Sequence, residues 1–333
     1  MIVITGATGH IGNVLVRELL KNGEKVRVLV RPGSTTIPID DLDVEIAYGD
    51  IRDKASLQKA FQGAEKVFHL AAVISILPGS NKELYDTNVN GTKNVCDICS
   101  EQGIKLIYTS SVHAISDRPH GEPLTENTPV CEKTALGKYG QTKAIATNYL
   151  LNTVKNKGLN AVIVHPAGVV GPHDYMPSQM GLVINAMTTW LCMGVKGAYN
   201  FVDVRDVVQG ILLADQKGTI GERYILSGHI LSVSDQKKIV DKVLGRKHFF
   251  VNMPKSLAYF GAHIMSPLYS LLNLEPLLTP ESLAILFSNA DLRHDKAKTE
   301  LGYTVRPFEE TIRDTIAWAH QHKYLWKKTQ HNI

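Results

Sequence analysis

Cysteines, long apolar runs and charge of one sign are all scarce in this chain, and each scarcity removes a class of protein. Four cysteines in 333 residues are too few for a disulfide framework and suit a reducing compartment. Cys96 and Cys99 form a C-x-x-C, but no second ligand pair accompanies them and they fall in a helical pattern. They read as two small residues on one buried helix face, and no metal site is expected. No stretch is continuously apolar for long enough to span a bilayer, and no internal repeat or low-complexity linker divides the chain. The net charge of +4 is too mild and too dispersed to imply nucleic acid. A strand-forming segment starts at Ile2, leaving no room for a basic start, an apolar core and a cleavage site, so a cytoplasmic location is expected.

What is present begins at once. Ile2-Val3-Ile4-Thr5 is followed by Gly6-Ala7-Thr8-Gly9-His10-Ile11-Gly12 and then by an apolar-periodic run from Val14. The order is strand, tight turn, helix. Such a turn aims unpaired helix N–H groups at a phosphate, and residues without a Cβ let a pyrophosphate approach the main chain. Gly6, Thr8, Gly9, His10, Ile11 and Gly12 are therefore the candidate phosphate contacts, although the Gly-x-x-Gly-x-x-Gly spacing differs from the commoner G-x-G-x-x-G. A second strand, Lys25 to Val30, ends in a turn that holds Arg31 and Ser34. An acidic residue at this place accepts the adenosine ribose 2′-OH in dinucleotide folds, whereas a guanidinium suits a 2′-phosphate. The expected cofactor is NADP(H), with NAD(H) as second choice.

Further along, Val44 to Ala47 reads as a third strand ending at Gly49-Asp50-Ile51, and Lys54 to Phe61 as a short helix. Lys66 to Ala72 reads as a fourth strand whose small residues, with Leu70, leave room for a ligand. A long helix is expected from about Lys82 to Gln102, a fifth strand over Lys105–Thr109, and a helix carrying Tyr139 and Lys143. A sixth strand runs from Ala161 to Val164 and ends at His165-Pro166. This alternation predicts an α/β doubly wound parallel sheet of the Rossmann type with a smaller C-terminal substrate-binding lobe. The dinucleotide-binding part is 1–168, with 199–227 returning to its sheet through short strands read at Phe201–Val207 and Arg223–Leu226; 169–198 and 228–333 form mainly the substrate lobe and C-terminal helices. Met176–Val195 and Leu257–Leu274 carry no charged residue and are read first as pocket and lid over an apolar substrate, then as core or membrane-touching surface.

Tyr139 and Lys143 share a helix face four residues apart. Tyr324 and Lys328 repeat that spacing near the chain end, so company decides: Tyr139 follows a serine pair, Ser110-Ser111, at a strand end, and strand ends in such a sheet meet at one crevice. Reducing a carbonyl by hydride transfer leaves charge on oxygen that must receive a proton. A tyrosine of pKa ~10 serves better if lowered toward ~7, about 4 kcal/mol of shift. An ammonium roughly 5 Å away at an effective dielectric of about 20 contributes on the order of 3 kcal/mol. Ser111 is placed to hold the substrate oxygen. His113 and His165 also lie near the crevice and read as lining residues rather than catalysts.

Together, the glycine turn, Thr109-Ser110-Ser111, Tyr139-x-x-x-Lys143 and His165-Pro166-Ala167-Gly168-Val169-Val170-Gly171-Pro172 resemble the extended short-chain dehydrogenase/reductases. Within them the chain is most similar to the dihydroflavonol-reductase-like and NAD-dependent epimerase/dehydratase group. The resemblance implies catalytic roles for Ser111, Tyr139 and Lys143, with Lys143 also on the nicotinamide ribose. It implies cofactor contacts from Asp50, Ile51, Leu70, Ala71, Ala72, Thr109 and Pro166, a structural asparagine at Asn88 beside the cofactor, and a homodimer. His165 stands where many relatives carry arginine, which argues against a nucleotide-sugar substrate. The expectation is an NADPH-dependent reductase, or the reverse alcohol dehydrogenase, acting on a small-molecule ketone or aldehyde with an apolar body. Its rivals are a sugar epimerase/dehydratase, a 3β-hydroxysteroid dehydrogenase and a non-catalytic NADP(H) sensor.

Overall fold

The computed structural model describes residues 1–74, 81–175, 178–189, 191–245, 249–271 and 279–322. Seven parallel strands form its main sheet: β1 (Ile2–Thr5), β2 (Val26–Val30), β3 (Glu45–Tyr48), β4 (Lys66–His69), β5 (Lys105–Thr109), β6 (Ala161–Pro166) and, later in the chain, β10 (Arg223–Leu226). Their order is β10-β6-β5-β4-β1-β2-β3, so the chain reverses direction between β1 and β4, where such folds open a ligand crevice. Alternate residues of β1 face opposite ways. Ile2 and Ile4 pack with Leu15 and Leu19 of α1 (His10–Lys21) and with Val207 and Ile211 of a later helix. Val3 packs on the other face with Phe61, which follows α2 (Lys54–Ala60).

The long helix predicted from Lys82 is continuous but not uniform. α3 (Asn81–Tyr85) passes through a π-helical turn at Asp86–Gly91 into α4 (Thr92–Gln102). A Cβ at Gly91 would lie 2.6 Å from the Ile51 side chain, so the glycine lets the helix close on the loop after β3. α5 (Gly137–Lys157) carries the tyrosine–lysine pair and stops at Gly158, whose φ of +69° is left-handed.

The expected return of 199–227 to the main sheet is corrected. Only β10 joins it; β9 (Ala198–Asp203) lies between β7 (Gly168–Val170) and β11 (His229–Ser232) in a separate three-stranded sheet. The strand read at 201–207 stops at Asp203 because its carboxylate accepts the Arg205 N–H at 2.8 Å and starts α7 (Val204–Lys217). The edge of β10 is covered by the 125–128 turn, where Glu126 accepts the Ile225 N–H at 2.8 Å.

In the second lobe, α6 (Gln179–Met187), β8 (Leu191–Val195), α8 (Val233–Val243) and β12 (Phe249–Met253) pack with α11 (Phe308–Gln321). The lid reading of 176–195 gives way to core: Ile184, Met187 and Cys192 are buried against Ile312 and Ile316. α9 (Lys255–Leu271) buries Ala258 and Ala262 against Val195 and against Leu283 of α10 (Pro280–Leu286), while Leu257, Phe260 and Ile264 are 53%, 64% and 56% exposed. This helix backs a wall and leaves an apolar stripe outside. Residues 176–177, 190 and 272–274 of the uncharged stretches, and Tyr324 with Lys328, lie outside the described residues. No helix among the described residues is long and apolar enough to cross a membrane.

Candidate active site

At the head of the crevice two of the three glycines, Gly6 and Gly12, are required sterically. Gly6 sits at φ +78°, and a Cβ there would come within 2.6 Å of the Ala71 nitrogen; one at Gly12 would come within 2.0 Å of the Gly6 carbonyl oxygen. The Gly9 N–H donates to that same carbonyl at 3.1 Å, and no side chain caps the start of α1. The backbone amides of His10, Ile11 and Gly12 thus form the first turn of an uncapped helix, a cradle whose shape fits a pyrophosphate. Thr8 is half-buried at its tip. The His10 imidazole turns aside and donates to the Pro172 carbonyl at 3.0 Å.

Leu70, Ala71 and Ala72 pass over this turn. The Leu70 N–H donates to the Thr5 carbonyl at 3.0 Å and the Ala71 N–H to Thr5 Oγ1 at 3.3 Å. Behind them His69 bridges Thr5 Oγ1 at 2.7 Å and Thr92 Oγ1 at 3.0 Å. Burial lowers His69 to about 3, so it is a neutral strut. Asn88 accepts the Val73 N–H at 2.8 Å and donates to the Val73 carbonyl at 2.9 Å and to Thr142 at 3.1 Å. It fixes the end of this loop to α5, a structural role.

The adenosine-side candidates form a separate patch. Arg31 is half-exposed, with Nε 3.4 Å from Ser34 Oγ and Nη1 3.8 Å from Glu83. Asp50 gives both oxygens to Arg52, at 2.6 Å for the ion pair, which holds its carboxyl below the usual range. Arg52 escaped sequence reasoning, since nothing in its spacing marks it. Ile51 is buried beneath Gly91.

The catalytic candidates meet where β5, β6 and α5 converge. The Ser111 hydroxyl accepts the His113 N–H at 3.2 Å and lies close enough to Tyr139 to favour its ionised phenol. His165 Nδ1–H donates to the Ser111 carbonyl at 2.8 Å, and burial keeps the ring neutral, lowered to about 3. Among the described residues its Nε2 finds no partner, nor does Thr109 Oγ1. Pro166 ends β6 beside Leu226.

Lys143 differs from expectation. Its Nζ donates to the Thr109 carbonyl at 2.7 Å and lies 4.5 Å above the Tyr108 ring, and burial lowers it to about 7. Tyr139 is pushed up to about 12 by burial, opposed by the neighbouring Ser111 hydroxyl. The ammonium is directed at β5 rather than at the phenol. Glu281 of α10 reaches back to the start of α5, and burial raises its carboxyl. A Cβ at Gly137 would lie 2.0 Å from it.

Near Tyr139 lies a recess of about 20 Å³, room for a single water-sized group, lined by Val112, His113, Ile115, Asp117, Tyr199 and Leu292, among others. Ser288 and Asn289 line both it and a cleft of about 670 Å³ in the second lobe. Val195, Leu286 and Phe287, on which α9 is seated, belong to that cleft.

Comparison with known proteins agrees with this geometry. The profile of the NAD dependent epimerase/dehydratase family matches residues 2–227. The chain is 34% identical over 323 residues to sterol demethylase protein B of Methylococcus capsulatus, covering 95% of this chain and 97% of that one. It is 31% identical to a protein of Synechocystis described as a dihydroflavonol 4-reductase, covering 98% and 96%. The crystal structure of gox2253 superposes with a TM-score of 0.84 at 36% identity, covering 97% and 98%. The protein belongs to the NAD-dependent epimerase/dehydratase family of extended short-chain dehydrogenase/reductases and is an NAD(P)-dependent oxidoreductase.

Proposed function

We propose that the protein is an NADP(H)-dependent reductase, or in reverse an alcohol dehydrogenase, of a ketone or aldehyde with an apolar body. The observation that carries this reading is the convergence of Ser111, at the end of β5, with Tyr139 and Lys143, which α5 holds four residues apart, near a small recess to which Val112, Ile115, Leu136 and Leu292 contribute apolar wall. The 1–168 part would hold the cofactor and the second lobe the substrate.

The residues fit a dinucleotide: the glycine cradle for its pyrophosphate, Arg31 and Ser34 for a 2′-phosphate, Asp50 and Ile51 near adenine, and Lys143 near the nicotinamide ribose. When bound, the cofactor supplies or accepts hydride at the substrate carbon. Ser111 Oγ then holds the substrate oxygen, and the Tyr139 hydroxyl donates a proton to it as charge develops. Lys143, near 7, can carry or release a proton at Nζ at neutral pH. A phenol near 12 needs further positive charge beside it before it ionises. Preference for NADP(H) over NAD(H) is supported by Arg31, with Arg52 as a second guanidinium on the same patch.

A second reading, a 3β-hydroxysteroid dehydrogenase, is favoured by the relative whose name refers to sterol demethylation. Oxidation of NADPH against a panel of aldehydes, ketones, steroids and nucleotide sugars decides. Net NADPH consumption with an apolar ketone is the expected result, and turnover of a nucleotide sugar without net cofactor consumption would favour an epimerase.

A further inference from the structure

The recess near Tyr139, large enough for one oxygen-sized group, is lined not only by Asp117, Ser288 and Asn289 but also by a hydrogen-bonded aromatic pair drawn from two lobes. His113 Nε2 and the Tyr199 hydroxyl share a hydrogen bond of 2.8 Å, with the rings stacked at 5.8 Å. The His113 ring meets the Tyr139 ring edge-on at 6.4 Å. His113 comes from the turn after β5, two residues past Ser111; Tyr199 comes from β9, where its ring fills the space above Gly168. Burial lowers His113 to about 4 and raises the Tyr199 phenol, so the pair is uncharged at neutral pH. Once the two have bonded to each other, one proton and at least one lone pair remain for a third group, whichever tautomer the imidazole takes. Of the residues lining the recess, Asp117 carries the formal charge, and it is negative.

We propose that His113 and Tyr199 form a specificity site for a second, uncharged oxygen of the substrate, a hydroxyl or carbonyl set a few bonds from the reacting carbon. The preferred substrate is then an apolar ketone or alcohol bearing another neutral oxygen. A plain hydrocarbon ketone leaves the buried polar pair without a third partner, which is costly. A carboxylate in the same place faces Asp117 with no cation in the lining to match it. The inference rests on the reductase reading and narrows its substrate class.

The test uses cyclohexanones carrying hydrogen, hydroxyl or carboxylate at carbon 3 or 4, assayed by NADPH oxidation and, separately, by calorimetric binding to the Tyr139→Phe protein. The wild type is expected to favour a hydroxyketone over the plain ketone by about tenfold in kcat/KM, the scale of one hydrogen bond, and to rank the keto acid last. Tyr199→Phe should shrink the hydroxyketone-to-ketone ratio toward one, through KM more than kcat. His113→Gln, which keeps an N–H donor, should restore more of that ratio than His113→Leu. Equal rates for the plain and hydroxylated ketones, a preference for the keto acid, or a ratio unmoved by Tyr199→Phe would overturn the inference while leaving the reductase reading intact. If no ketone is reduced, the reductase reading fails by itself, and the calorimetric ratio still decides whether the pair recognises a neutral oxygen.

Discussion

The half that carries the glycine turn and the second lobe meet at one crevice but are specified at different ranges along the chain. In the first, short segments carry their own geometry: Gly6 and Gly12 shape the cradle by lacking Cβ atoms, and Tyr139 and Lys143 are aligned by one helix. In the second, contacts join distant residues. Tyr199 meets His113 across 86 positions, and Asn289 donates to the carbonyls of Pro119 and Glu122 across 170 and 167. Buried Asp203 and Asp206 tie β9 and α7 to Arg306, before α11, while Arg205 reaches Asp314 within it. A locally specified site tolerates change elsewhere, whereas a lobe held by remote pairs can alter its pocket without disturbing the cradle.

The strongest way to break that comparison is to stop the chemistry without touching either half. Tyr139→Phe removes one hydroxyl. Turnover should fall by roughly 10²–10⁴-fold while cofactor affinity, read by fluorescence titration, stays near the wild-type value. An active variant would falsify the assigned proton donor.

Lys143→Met should separate stability from activity. Burial lowers this lysine from 10.5 to about 7, so between those values the unfolded chain holds a proton that the folded one lacks. Stability therefore rises with pH across that window and is lowest below about 7. The variant should lose the slope and gain ~2–5 kcal/mol at neutral pH, with turnover greatly reduced. Denaturant melts from pH 6 to 10 test this, and a wild-type profile flat from 7 to 10 contradicts it.

Arg31→Ala should weaken NADPH binding by about ten- to a hundredfold, the range for charge-assisted bonds, and change NADH binding little. Adding Arg52→Ala tests whether the second guanidinium shares the load. If NADH weakens as much as NADPH, the 2′-phosphate assignment is wrong.

Legibility in the sequence follows the same division. The parallel sheet, the glycine turn and the tyrosine–lysine pair could be read because strand alternation and helix spacing fix them within a few residues. The departure of β9 from the main sheet could not, although Asp203-Val204-Arg205-Asp206 carries a helix-start signal that the strand reading passed over: an Asp N-cap and an acidic first turn. His113 was visible only as a lining residue, because Tyr199 had no local feature linking the two. Glu281 had none either, since its contact with α5 depends on the left-handed Gly137 making room for it.

The smallest effect is expected on α9, where the two lobes' rules can be compared within one helix. Ala258 and Ala262 are fully buried against Leu283 and Val195, and Phe260 points out of the same turn at 64% exposure. Ala258→Leu inserts bulk into a filled wall and should cost about 1–3 kcal/mol. That wall also lines the 670 Å³ cleft, so KM for an apolar ketone should rise while NADPH affinity holds. Phe260→Ser removes apolar surface already in water and should move stability by no more than about 0.5 kcal/mol. A large loss from Phe260→Ser, or a loss that depends on protein concentration, would mean that the stripe of Leu257, Phe260 and Ile264 is covered in solution. The lobe would then owe part of its stability to a contact outside the single chain.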